Sequence, residues 1–173
     1  ITASNQFDDA GVRDWLAFAA TKKSDRAVTE LAYELEAGLE VVRRGEVMPG
    51  TKVRLSAKAD KPYDLGGGRT ADLTRPEGVD KDDWLPEADV LFVDREGNRV
   101  VVEVKRSIAT IDNKFKKNRN YLANFADWID RSEGRKVRVY VALDLRNSPA
   151  LDKSRERAIL EANIPIDLFG FKF

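Results

Sequence analysis

The sequence predicts an α/β domain in which a mixed sheet carries helices packed on it. Two observations lead there. Valine-rich runs within residues 89–105 flank a polar turn containing Gly97-Asn98, which reads as a β-hairpin. Around it the order helix, hairpin, helix, strand, helix, strand can be read from the spacing of apolar residues. A chain of 173 residues buries roughly 70% of its unfolded surface, enough for one core and too little for two. Residues 1–173 are therefore read as a single domain.

Residues 7–20 form a short amphipathic helix with Trp15, Leu16, Phe18 and Ala19 available for a core, and residues 1–23 read as an N-terminal helical extension. A second helix begins at a Ser24 cap and carries Ala27, Val28, Leu31, Leu35 and Leu39 at helical spacing. Gly38 marks its end or a transition to a strand through Leu39–Val42. Residues 48–85 are a loop-rich insertion in which TKVRLSAK has strand character and the Gly/Pro/Asp-rich stretch after it is a loop or a small elaboration, and Gly66-Gly67-Gly68 is a turn, since no GK[ST] follows it. After the hairpin, residues 112–132 read as a helix with Phe115, Leu122, Phe125, Ala126 and Ile129 inward and Lys114, Lys116, Lys117 and Arg119 in its first half. Residues 136–144 are a strand, 148–163 a helix and 164–173 a final strand.

Composition narrows the chemistry. With 42% hydrophobic and 35% charged residues the chain is an ordered globular one, and no apolar run approaches the ~20 residues that span a bilayer. It opens on Ile1 rather than methionine, as an excised domain or processed product would. Histidine and cysteine are absent, which removes disulfides, Cys/His zinc sites, thiol nucleophiles and histidine bases. Carboxylates, lysines, hydroxyls and a hard metal ion are what remain. The formal net charge is zero, yet residues 1–98 hold 14 Lys/Arg against 20 Asp/Glu, and residues 99–157 hold 15 against 8. A polyanion partner belongs on the second half.

The hairpin poses the central question, because Glu103 and Lys105 interrupt its best strand-forming run. Period two places Val101, Glu103 and Lys105 on one face. A turn around Glu96-Gly97 brings Asp89 opposite residues 103–105, where facing Cβ atoms stand about 5 Å apart. Two carboxylates so close repel, and a divalent cation turns that repulsion into a chelate. Lys105 can then orient or deprotonate a water, or stabilise charge developing on a phosphate. An edge hairpin whose charges face solvent would explain the same residues.

With EAD at 87–89 and VVVEVK at 100–105 in a strand, turn, strand context, the chain resembles the PD-(D/E)xK nuclease superfamily. Restriction endonucleases, archaeal Holliday junction resolvases and many nuclease toxin domains belong to it. Ala88 stands where a proline often precedes the aspartate. The resemblance implies a restriction endonuclease-like mixed central sheet flanked by helices, with Asp89 and Glu103 ligating Mg2+ or Mn2+ and Lys105 at the attacking water. It further implies a glutamate from the preceding helix. The resolvase pattern puts that acid near Val28, where there is none, so Glu30 or Glu34 is the candidate. Arg106, Lys114, Lys117, Arg119, Asn120 and Tyr121 follow the motif as the phosphate-facing, nucleic-acid-binding set, and Tyr121 or Trp128 could stack on a base. The implied activity is metal-dependent endonucleolytic hydrolysis of phosphodiesters, DNA being preferred over RNA, at a cytoplasmic site of action. A toxin domain cleaving tRNA, which would have an acidic immunity protein as partner, a resolvase-like enzyme and a non-catalytic binding module are the alternatives.

Overall fold

The computed structural model of the chain describes residues 6–58, 60–80, 87–105, 129–130, 135–144 and 166–171. In chain order these form α1 (Asp9–Ala20), α2 (Asp25–Arg43), β1 (Arg54–Lys58), β2 (Pro62–Asp64), β3 (Thr70–Asp72), β4 (Glu87–Val93), β5 (Arg99–Lys105), β6 (Ile129–Asp130), β7 (Arg135–Lys136), β8 (Arg138–Asp144) and β9 (Ile166–Phe171). The central sheet runs β1-β4-β5-β8-β9. β5 pairs antiparallel with β4 and parallel with β8. The expected mixed sheet with helices packed on it is what the structure shows. Among the described residues, no helix is long and apolar enough to cross a membrane.

Both described helices start where their first free N–H groups find a side-chain acceptor. Asp8 caps α1, accepting from the N–H of Ala10 and Gly11, and Ser24 caps α2, accepting from Ala27. Trp15 is buried beneath α1, whereas Leu16, expected in the core, is 54% exposed. The face of α1 that meets the sheet passes through Gly11 and Trp15 at i, i+4, and Leu16 falls about 100° to one side.

Gly38 does not end α2, which continues through Leu39–Val42 to Arg43. It is buried where the helix crosses β1, and a Cβ there would sit 3.1 Å from Leu55 Cδ2 and 3.2 Å from Phe7 Cε1. The glycine permits close approach of helix to sheet, and the helix stops at Arg44 before Gly45, whose φ is +68°.

Val90, Phe92, Val100 and Val102 join Trp15, Leu31 and Val41 in one core beneath the helices. Leu91, Val93 and Val101, on the alternate face, are buried as well. Within 48–85, the strand expected in TKVRLSAK is the edge strand β1, and the Gly-rich stretch after it adds the small β2–β3 hairpin. That hairpin lies against β5, whose fully buried Arg99 donates from Nε and an Nη to the Thr70 carbonyl, the Nε bond being 2.9 Å. Further along, Ile129–Asp130, expected at the end of a helix, pair as a strand with Arg135–Lys136. The rest of the helix expected over 112–132 and the helix expected over 148–163 lie outside the described residues.

Candidate active site

Strand register assembles the first part of the site. Val90 faces Val102 and Leu91 faces Val101 across β4 and β5, so Asp89 stands opposite Glu103. The Val104 N–H donates to Asp89 Oδ2 at 2.6 Å. Lys105 Nζ pairs with Glu103 Oε1 and donates to the Val104 carbonyl at 3.1 Å. The side chains of Lys105 and Glu103 are only 11% and 6% exposed. An edge hairpin with solvent-facing charges does not describe this arrangement, because β5 is the middle strand of five.

Such burial makes negative charge costly. Asp89 retains some solvent access as a residue, yet protein surrounds its carboxyl densely enough to push its pKa well above the ordinary aspartate range. Burial is the main cause. The charges of Glu103 and Glu34 push the same way, while Lys105 and the Val104 N–H oppose them.

The second part comes from α2. Glu34 lies between the buried Leu31 and Gly38 at i+3 and i+4 spacing, so its side chain rises from the stripe that meets the sheet. Ser56 Oγ donates to Glu34 Oε2 at 2.5 Å. The Glu34 pKa is raised to about 7, chiefly by burial and further by Glu87 and Glu103, while the Ser56 hydroxyl and the Trp15 indole N–H favour the ionised form. Among the described residues that buried indole N–H has no hydrogen-bond partner of normal geometry, yet it lies close enough to Glu34 to favour the ionised carboxylate. Glu87 is itself paired with Lys58 at 2.6 Å.

Glu30, the other helix candidate, is on the outside of α2, paired with Arg26 at 3.0 Å with its side chain 49% exposed. Val28, where the resolvase pattern would put the acid, is also exposed.

Ser56 has a φ of +47°, and among the described non-glycine residues it alone has a positive value. Holding it there costs on the order of 1–3 kcal/mol. The β1–β4 register is the same on either side, Leu55 facing Val90 and Ala57 facing Ala88, which puts Ser56 across from Asp89. The positive φ therefore absorbs no extra residue, as a bulge would; its effect is on where the side chain points.

The donor chemistry can be set against a divalent ion. Among the described residues no three carboxylates converge closely enough to form a metal-binding group. Magnesium is commonly held by one or two carboxylates together with waters and substrate phosphates, and Asp89 and Glu103 supply such a pair of oxygen anions from adjacent strands. Their mutual repulsion is what a cation would relieve. The pair fits Mg2+ or Mn2+, to which oxygen ligands are suited.

Arg106, Lys114, Lys117, Arg119, Asn120, Tyr121 and Trp128 lie outside the described residues. Sequence reasoning missed Ser56, Trp15 and Glu87 as neighbours of Glu34 and the Val104 N–H as a partner of Asp89. Glu87 opens the EAD run, and the β1–β4 register sets Lys58 opposite it. Nothing in the sequence signalled a left-handed serine inside a strand.

The fold and site thus define an α/β protein with a buried carboxylate pair and an adjoining lysine at the end of its central hairpin. Two solved structures are similar to it: the EndoMS–dsDNA2 complex, 17% identical over 81% of this chain and 45% of its own with a TM-score of 0.36, and a repair endonuclease from Pyrococcus abyssi, 17% identical over 87% and 48% with a TM-score of 0.36. The chain spans a little under half the length of each. No protein-family model matches it, and no curated protein does. At this level of similarity the site stands on its own geometry.

Proposed function

We propose that the chain is a metal-dependent endonuclease that hydrolyses phosphodiester bonds, with DNA preferred over RNA. The observation that carries the reading is the pair of acids on adjacent strands, Glu103 buried and Asp89 half-buried, with the Lys105 ammonium against Glu103. A fold that keeps two acids together at this cost favours a cation, and positive charge beside them favours a phosphate.

In this reading Asp89 and Glu103 hold Mg2+ or Mn2+, which when bound supplies Lewis acidity and a water more acidic than bulk water. The Val104 N–H fixes Asp89, leaving the rest of its carboxyl for the ion. The Lys105 ammonium, held beside Glu103, would orient the attacking water or stabilise charge developing on the phosphate. Glu34 contributes a third acid near the pair, and Glu30 stays on the surface. Arg106, Lys114, Lys117, Arg119, Asn120 and Tyr121 are proposed, from the sequence, as the backbone-positioning track.

The test is a titration of Mg2+ and Mn2+ into protein incubated with supercoiled plasmid and, separately, total tRNA. Metal-dependent nicking of the plasmid is the expected result. Cleavage of tRNA alone would change the polymer and keep the chemistry. Binding without cleavage of either would leave a non-catalytic module and overturn the proposal.

A further inference from the structure

The strained serine of β1 meets the Glu34 carboxyl of α2. Its backbone is left-handed inside a strand whose register is undisturbed, and its hydroxyl meets a carboxyl that arrives from another element. Strained non-glycine residues persist where the surroundings over-determine them, and such positions concentrate at functional sites. Ser56 stands across from Asp89 and bonds Glu34, so it links the strand pair to the helix acid at the point where the two parts of the site meet.

We infer that Ser56 is a positioning residue, held in the left-handed conformation so that its hydroxyl fixes the Glu34 carboxyl beside the Asp89–Glu103 pair. The inference rests on the nuclease reading above and adds to it the device that sets the helix acid. An extended backbone at position 56 would aim the hydroxyl elsewhere. Among the described residues, Glu34 would then keep the nearby Trp15 indole N–H as its remaining donor. A free glutamate rotates, and a rotating carboxyl adds its charge near the cation only part of the time.

Ser56→Gly isolates this role, because glycine accepts a φ of +47° without strain while removing the hydroxyl. The experiment compares wild type, Ser56→Gly, Glu34→Gln and the double variant in melting temperature, Mn2+ affinity by calorimetry, and kcat and KM for plasmid. Ser56→Gly should melt no lower than wild type, keep KM, and lose roughly 10- to 100-fold in kcat or Mn2+ affinity, the range for a residue that orients a functional group. The double variant should match Glu34→Gln alone, because Ser56 acts through Glu34. Wild-type kcat and Mn2+ affinity in Ser56→Gly would overturn the inference. So would losses that multiply in the double variant, or a clear fall in melting temperature, which would make Ser56 a structural residue. If wild type cleaves neither plasmid nor tRNA, the nuclease reading fails separately, and the Mn2+ affinities still decide the role of Ser56: unchanged in Ser56→Gly, they overturn it.

Discussion

The two ends of the β4–β5 hairpin both bury charge and treat it in opposite ways. At the turn end, Asp94 accepts from the N–H groups of Glu96 and Asn98 and from the Asn98 amide, and Arg138 pairs with it at 3.0 Å. Arg99, fully buried beside it, donates to the Thr70 and Gly97 carbonyls. Opposite charges and saturated donors make that end a closed structural cluster. At the other end, among the described residues, Asp89 lies within electrostatic reach of Glu103, Glu34 and Lys105, and burial raises the pKa values of Asp89 and Glu34. Buried polar groups that are fully paired stabilise and specify a fold, whereas acids held together at a desolvation cost are the arrangement expected of a functional site. On the proposed reading, the difference within a single hairpin separates structural charge from functional charge.

The largest effects should come from breaking the acidic end. Asp89→Ala is expected to abolish Mn2+ binding by calorimetry and metal-dependent cleavage while leaving the metal-free protein folded, because removing a repulsive member offsets the lost acceptor of the Val104 N–H. Lys105→Ala should retain Mn2+ binding and reduce the cleavage rate on the order of 10²–10⁴-fold; cleavage at the wild-type rate would reduce Lys105 to a counter-charge for Glu103. The turn end should respond in the opposite manner. Asp94→Ala leaves the Asn98 donors and Arg138 without their acceptor and should cost about 2–4 kcal/mol in chemical denaturation, with cleavage per folded molecule unchanged.

The same contrast explains what could be read from the sequence. The turn, the valine runs and the meeting of Asp89 with Glu103 follow from local rules: alternation, turn chemistry and hairpin register. These parts were legible. Gly38 was misread because a glycine inside a helix and one ending a helix look alike until the close approach of Leu55 and Phe7 is known. Leu16 was misread because a 12-residue helix offers two overlapping apolar faces and tertiary packing chooses between them. β1 was seen only as strand-like within an insertion, since its partner β4 lies some thirty residues away and a non-local pairing leaves no local mark. Ser56, Trp15 and Glu34 come together by the same kind of long-range contact.

A smaller effect should appear in the stability of the metal-free protein against pH. Glu34 titrates near 7 in the folded chain against an ordinary value of 4.5, so between these values the native state binds more protons than the unfolded one. Its contribution is therefore fully present below the unfolded value and is lost as pH rises through 7, amounting to up to ~3 kcal/mol. Asp89, also raised, acts in the same direction. In EDTA, wild type should lose more stability between pH 5 and pH 8 than Glu34→Gln, which has no carboxyl to ionise there. Equal losses in the two proteins would mean that Glu34 does not titrate in this window.

The smallest effect is expected at Glu30, one turn along the same helix. Its pair with Arg26 is an exposed i, i+4 contact, and such pairs contribute about 0.3–0.5 kcal/mol in helices. Glu30→Gln should lower stability by no more than that, with the loss fading in high salt, and should leave cleavage and Mn2+ affinity at wild-type levels. Glu34→Gln, one turn closer to the sheet, should reduce both. The reverse order, with the two variants equally stable, would give the helix acid's role to Glu30 and imply that α2 turns on its axis when substrate or metal binds. The closed and open ends of the hairpin would then no longer be distinguished by the geometry of the metal-free chain.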